Sequence, residues 1–251
     1  MRGSDPERAK SATGDVLVGW RPVEYGRSHR GVALRAFLPV GGRSIAGMLT
    51  AAVHGEEALT ALLACRLLER VPGDQTRWVI VPVVNPDGML AGMRQNAAGV
   101  DLNRNFPAAS WRPEDSFSYP PGIDPARRSP ENRLNRSSPG SSPGSEPETR
   151  ALIELVERLR PPLVVDLHTP LELLLARRGV PASVVELLSG SANLPLVDEL
   201  PGCPGAFDDW LDERGIPAIV YEVEQAGLPA VCTRHLAGLE ALLRGDGLMG
   251  A

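Results

Sequence analysis

His54 and Glu57 lie three positions apart in Ala51-Ala52-Val53-His54-Gly55-Glu56-Glu57, where an apolar run stops and a leucine-rich segment begins. With Gly55 making the turn and Glu57 in the first helical turn, an imidazole and a carboxylate converge across a strand-to-helix junction and form two corners of a zinc site. Acids are favoured in a first helical turn by the helix dipole alone, so the pair needs company before it means metal. His168 supplies it, at the end of the apolar run Leu163-Val164-Val165-Asp166-Leu167. Two histidines and a carboxylate, with two ligands close together and the third more than a hundred residues later, are a set that binds one catalytic zinc and leaves a position for water. Peptide hydrolysis then needs a base to collect the water proton. Glu222 is the candidate, at the acidic end of Pro217-Ala218-Ile219-Val220-Tyr221-Glu222-Val223-Glu224. Period-two alternation puts Glu224 on the same side of that strand, so spacing leaves the two open.

A second polar block runs through Arg94 and Asn96 into Gly99-Val100-Asp101-Leu102-Asn103-Arg104-Asn105-Phe106-Pro107. Asparagines satisfy turns and arginines solvate surfaces, but this block is too polar for core and too specific for filler. Arg94 or Arg104 can stabilise a tetrahedral oxyanion or grip a substrate carboxylate with a bidentate fork, and the sequence does not divide those roles. His29 and His235 have no partner pattern and are expected at the surface. No Gly-x-Ser-x-Gly elbow, Walker loop or Gly-x-Gly-x-x-Gly occurs, which removes support for serine-hydrolase, P-loop and Rossmann chemistry.

The elements that must position these groups follow from periodicity. Gly31 to Pro39 and Ser44 to Val53 read as strands, the second buried and delivering His54. Ala58, Leu59, Leu62, Leu63, Leu67 and Leu68 recur at helical spacing, with Gly73 beyond the end. Trp78 to Val84 is an apolar strand stopped by Asn85-Pro86-Asp87-Gly88, a turn signal. Strand, helix, strand in this order predicts a βαβ unit and a largely parallel sheet, whose ligand site lies beyond the carboxyl ends of the strands. From Ala108 to about Glu146 the composition shifts to Pro, Ser, Gly and Arg, a loop long enough to be mobile or functional. Ser145-Glu146-Pro147-Glu148 matches a capping box for a helix running to about Leu159, and Pro161-Pro162 stops it. Further helices are expected over Ala182–Leu188, Phe207–Arg214 and about Cys232–Arg244, with a last strand over Pro217–Glu224.

At 251 residues, 43% hydrophobic and 23% charged, the chain fits one α/β domain with a full core, spanning 16–251 behind a flexible arm at 1–15. A net charge of −5 gives no basic footprint, so neither nucleic acid nor an anionic membrane is an expected partner. The polar N-terminus lacks a signal-peptide core and no apolar run is long enough to span a bilayer, which points to a cytoplasmic chain. The sequence leaves monomer and homodimer both open. Cys65, Cys203 and Cys232, odd in number and widely spaced, read as free thiols.

With His54-x-x-Glu57, Asn85-Pro86-Asp87-Gly88, Arg94, the Gly99–Pro107 block, His168 and Glu222 in this order, the sequence resembles the zinc carboxypeptidase family over about residues 20–245. Gly144-Ser145-Glu146-Pro147-Glu148-Thr149 is similar to the short bacterial branch of murein peptide amidases. The resemblance implies a mixed sheet of about eight strands flanked by helices, one zinc held by His54, Glu57 and His168, and Glu222 rather than Glu224 as general base. It implies Arg94 at the oxyanion and Asn103 with Arg104 on the substrate's terminal carboxylate. The implied reaction is hydrolysis of the γ-D-glutamyl–meso-diaminopimelate bond of small murein peptides during peptidoglycan recycling. The tyrosine that larger members bring on a mobile loop has no match here, and the variable stretch from Leu171 to Gly205 leaves the specificity residues unassigned. Two other readings stand beside this one: an acyl-amino-acid deacylase of the succinylglutamate desuccinylase or aspartoacylase type, and a catalytically inactive peptide-binding domain.

Overall fold

The computed structural model describes residues 17–118, 135–200 and 203–245. The arm expected at 1–15 and the middle of the Ala108–Glu146 stretch, 119–134, lie outside them. Strands β1 (Trp20–Arg27), β2 (Ala33–Pro39) and β3 (Gly47–Ala51) are followed by helix α1 (Ala58–Arg70), β4 (Trp78–Val81) and the short α2 (Pro86–Ala91). After a 3₁₀ turn at Leu102–Arg104 come β5 (Ser116–Ser118), β6 (Asn135–Ser137), α3 (Pro147–Leu159), β7 (Val164–His168) and β8 (Leu174–Ala176). The chain then runs through α4 (Ala182–Ala192), β9 (Leu196–Val197), α5 (Phe207–Glu213), β10 (Ala218–Glu222) and α6 (Leu228–Arg244).

Eight strands form one sheet in the order β1-β2-β4-β3-β7-β10-β8-β9, and β5 pairs with β6 separately. Its centre, β4-β3-β7-β10, is parallel, while β1, β2 and β8 attach antiparallel to their inner neighbours. This is the mixed, largely parallel α/β sheet that the sequence predicts. The central strands are apolar on both sides because both faces are covered. Leu49, Ile80, Val165, Leu167, Ile219 and Tyr221 pack under α1, α4 and α6. Met48, Val79, Val81 and Val164 face α3 and α5 through Leu152, Val156, Phe207 and Trp210.

Several local expectations give way to tertiary context. β1 goes unread because Pro22, Glu24 and Gly26 interrupt it and half of it is exposed at the sheet edge. Asn85-Pro86-Asp87-Gly88 opens a helix instead of a turn, since the Asn85 side chain accepts from Gly88 N and Pro86 sits at the first helical position. The capping box at Ser145–Glu148 does not form: Glu146 is the N-cap residue without a side-chain cap, and Glu148 is drawn away to His29 N and Asn96. His29 is exposed as expected, but His235 is fully buried between Tyr221 and Glu224. Among the described residues the three cysteines are free.

Candidate active site

The parallel centre of the sheet brings the polar groups of three strands to one edge. β3 stops at Ala51, and the chain turns through Ala52 at φ 51°, a left-handed conformation that a non-glycine residue holds only when its surroundings insist. They do: Val84 N and Asn85 N donate to the carbonyls of Ala51 and Ala52, and Ala52 N donates to Thr60 Oγ1 on α1. Gly55 is required next, because a Cβ there would lie 2.1 Å from the carbonyl carbon of Gly88 at the start of α2. The turn thus wedges between α1 and α2, with Glu57 as the N-cap residue of α1. His168 is the last residue of β7 and Glu222 the last of β10, paired in register.

His54 Nδ1 lies 2.6 Å from Glu57 Oε1 and His168 Nδ1 lies 3.2 Å from Glu57 Oε2, with the two imidazole centroids 5.1 Å apart. One ligand atom from each of these three residues falls within 4.8 Å of the others, and all three side chains are buried. Each ring turns its other nitrogen to a carboxylate. His168 Nε2 meets Asp166 Oδ2 at 2.8 Å. His54 Nε2 lies 3.2 Å from Asp101 Oδ1, close enough for attraction but not aligned as a hydrogen bond.

This donor set fits zinc. Glu57 Oε2 is buried without a hydrogen-bond partner although an imidazole nitrogen faces it, an arrangement costly for a protein group alone and natural for a shared cation. Burial works against charge on Glu57, yet His54 and His168 outweigh it and hold the carboxyl below its usual range. Burial likewise opposes a charged His168, but Asp166 and Glu57 raise its pKa well above the ordinary value. Asp101, despite burial, is held well below the carboxylate range by Arg94 and His54. The cluster therefore favours ionised carboxylates, the form in which they bind a divalent metal, while His168 must give up its proton to act as a ligand.

Glu222 stands beside His168, 6% exposed, with Oε2 accepting from Leu171 N at 3.1 Å. Burial pushes its carboxyl up, and His168 offsets this only in part. Glu224 is elsewhere: β10 ends at Glu222, alternation lapses, and Glu224 turns to His235 and Arg234 on α6. Arg94 Nε donates to Asp101 Oδ2, while its Nη1 lies 3.7 Å from Glu56 and 3.9 Å from Glu57. Asn103 and Arg104 lie just beyond Asp101 and turn to other partners: Asn103 Oδ1 accepts from Phe207 N at the start of α5, and Arg104 donates to Ser116 Oγ on β5 and to Cys203 Sγ.

Sequence reasoning gave no role to the carboxylates behind the imidazoles, Asp101 and Asp166. It also missed why the Gly144–Thr149 segment matters. Asn96 donates to Glu146 Oε2 at 2.7 Å and to Glu148 Oε2 at 3.1 Å, and its own Oδ1 accepts from Ala98 N and Val100 N. Asn105 Nδ2 reaches Pro139 O, Ser142 O and Ser145 Oγ, and its Oδ1 accepts from Glu146 N. The start of α3 thus clamps the loop that presents Arg94, Asp101, Asn103 and Arg104.

A sheet delivering two histidines and a glutamate to one point, with a buried acid and an arginine alongside, defines a metallopeptidase-type site, and residues 43–181 match the zinc carboxypeptidase family. The chain belongs to that family. It is 34% identical over 222 residues to murein peptide amidase A of Escherichia coli K12, covering 88% of each chain. It is 32% identical to the protein of the same name from Vibrio campbellii, covering 90% of this chain and 88% of the relative. The crystal structure of murein-tripeptide amidase from Escherichia coli O157 superposes with a TM-score of 0.81 at 32% identity, covering 92% of this chain and 94% of that one. Thrombin-activatable fibrinolysis inhibitor shares the fold at 17% identity, with a TM-score of 0.70 over 92% of this chain and 71% of its own.

Proposed function

We propose that this chain is a zinc-dependent peptidase that hydrolyses the γ-D-glutamyl–meso-diaminopimelate bond of small murein-derived peptides. The observation that carries the reading is the convergence of His54, Glu57 and His168 beside the buried acid Glu222. Similarity to murein peptide amidases over most of both chains supports the substrate class.

His54 Nδ1, Glu57 and His168 Nδ1 would hold the zinc. When bound, zinc supplies Lewis acidity that polarises a carbonyl and acidifies water. Glu222 accepts the proton of the attacking water on its carboxylate and delivers it to the leaving amine, a task helped by a pKa raised toward the working range. Arg94 faces the oxygen on which negative charge develops, held in place by Asp101. Arg104 and the amide nitrogen of Asn103, whose oxygen is already committed to Phe207 N, bind the carboxylate of the released amino acid. Such peptides arise from wall turnover, and we place the enzyme in the cytoplasm, in peptidoglycan recycling. No helix among the described residues is long and apolar enough to cross a membrane.

The test is incubation with L-Ala-γ-D-Glu-meso-diaminopimelate, with ordinary C-terminal peptides and with N-acyl amino acids, each with and without chelator. Chelator-sensitive release of diaminopimelate from the first substrate alone supports the reading. Release only from the N-acyl amino acids would replace it with a deacylase, and no release from any would overturn it.

A further inference from the structure

Strand β7 carries a charge that its packing does not explain. Val164, Val165 and Leu167 are fully buried apolar residues at the centre of the sheet, and Asp166 sits among them at 4% exposure. A buried carboxylate in such a strand is costly unless its oxygens are engaged. Both are. Asp166 Oδ1 accepts from Thr50 Oγ1 at 2.6 Å, and Oδ2 meets His168 Nε2 at 2.8 Å. The geometry follows from the sheet: Thr50 on β3 is the register partner of Asp166, and Asp166 and His168, two apart on one strand, share a face. With one oxygen pinned from the neighbouring strand, the carboxylate cannot swing away from the imidazole.

We infer that Asp166, anchored by Thr50, is the positioning residue for His168, fixing its ring so that Nδ1 faces the Glu57 carboxylate as a metal donor. The inference rests on the zinc reading above. An imidazole whose second nitrogen donates to a carboxylate is locked in tautomer and orientation and becomes a more basic ligand, and loss of such a partner typically costs about 10–100-fold in metal affinity. Thr50, fully buried and hydrogen-bonded to Asp166, acts one step further back.

The experiment compares the wild-type chain with Asp166→Asn and Thr50→Val. Zinc affinity is measured by competition with a chromophoric chelator, and thermal midpoints are recorded for metal-free and zinc-loaded protein. Asp166→Asn is expected to weaken zinc binding about 10–100-fold and to shrink the zinc-induced rise in midpoint. Thr50→Val is expected to weaken binding in the same direction by a smaller factor. A purely structural role would lower both midpoints together and leave the affinity unchanged, and that result overturns the inference. If Asp166→Asn does not fold, Thr50→Val decides by the same affinity measurement, with unchanged affinity counting against the inference. Wild-type protein that binds no zinc would overturn the metal reading itself and this inference with it. Tight wild-type binding with unaltered variants would overturn this inference alone.

Discussion

Arg94 Nε donates to Asp101 Oδ2 at 2.8 Å, so its guanidinium is tied to the same carboxylate that approaches His54. Burial would lower the pKa of Arg94, but Asp101 and Glu57 more than reverse this and keep it charged. A fixed cation of this kind costs no reorganisation when an oxyanion forms, which is why its removal falls on turnover. Arg94→Ala is expected to lower kcat by about 10²–10³-fold with a smaller change in KM. Steady-state kinetics on protein of verified zinc content checks this, and a loss confined to KM would assign Arg94 to ground-state substrate binding instead.

Glu222 is engaged through Oε2 by Leu171 N and contributes no atom to the three-residue donor cluster. Glu222→Gln keeps the side chain's size and its acceptor oxygen but removes the carboxylate proposed to carry the proton. Zinc content should stay at one equivalent per chain while kcat falls by about 10²–10⁴-fold. Elemental analysis alongside turnover separates the outcomes. Undiminished turnover would remove Glu222 from the mechanism, and loss of zinc would make it part of the metal site.

The residues that interrupt an apolar run at its end, His54, His168 and Glu222, were visible in the sequence because a polar group there breaks a pattern that burial imposes. The central strands and the helices over them were visible for the same reason. What stayed hidden depends on contacts between distant segments. β8 and β9 are three and two residues long, too short for any periodicity to register. Nothing local predicts that Glu148 abandons its helix cap for Asn96, fifty-two residues away. Asp101 is a comparable case, since its relation to His54 exists only once the loop is folded back. Asp166 is different: an acid two residues before a candidate ligand on one strand shares its face, and that signal was legible though unread.

Asn96 holds two carboxylates apart with a single amide, and its carbonyl closes the turn from Asn96 to Val100. Removing the amide leaves Glu146 and Glu148 each short of a donor in a buried setting. Asn96→Ala is therefore expected to destabilise the fold by about 1–3 kcal/mol. Because the loop carries Arg94 and Asp101, kcat/KM should fall as well, even below the unfolding transition. Urea unfolding and kinetics at low temperature test the two halves, and unaltered kinetics in a destabilised variant would confine the clamp to stability.

His235, fully buried on α6, takes the Tyr221 hydroxyl at Nδ1 and Glu224 Oε2 at Nε2, with Arg234 and Glu172 nearby. Burial lowers its pKa, Arg234 acts in the same direction, and Glu224 only partly compensates. The unfolded chain, with an ordinary histidine near pKa ~6.5, then takes up the proton before the folded one does. The stability contribution is complete above that value and is lost as the pH falls through the window down to the folded pKa. Glu224 adds in the same sense at lower pH: burial would raise its pKa, but the hydrogen bond from His235 outweighs this and lowers it, so its contribution is lost on acidification. His235→Gln removes the histidine proton. The difference in unfolding free energy between wild type and variant, measured on metal-free protein so that the zinc ligands titrate alike in both, should shrink as the pH is lowered from 8 toward 5. A difference that stays constant or grows would mean that His235 does not enter the acid branch of stability.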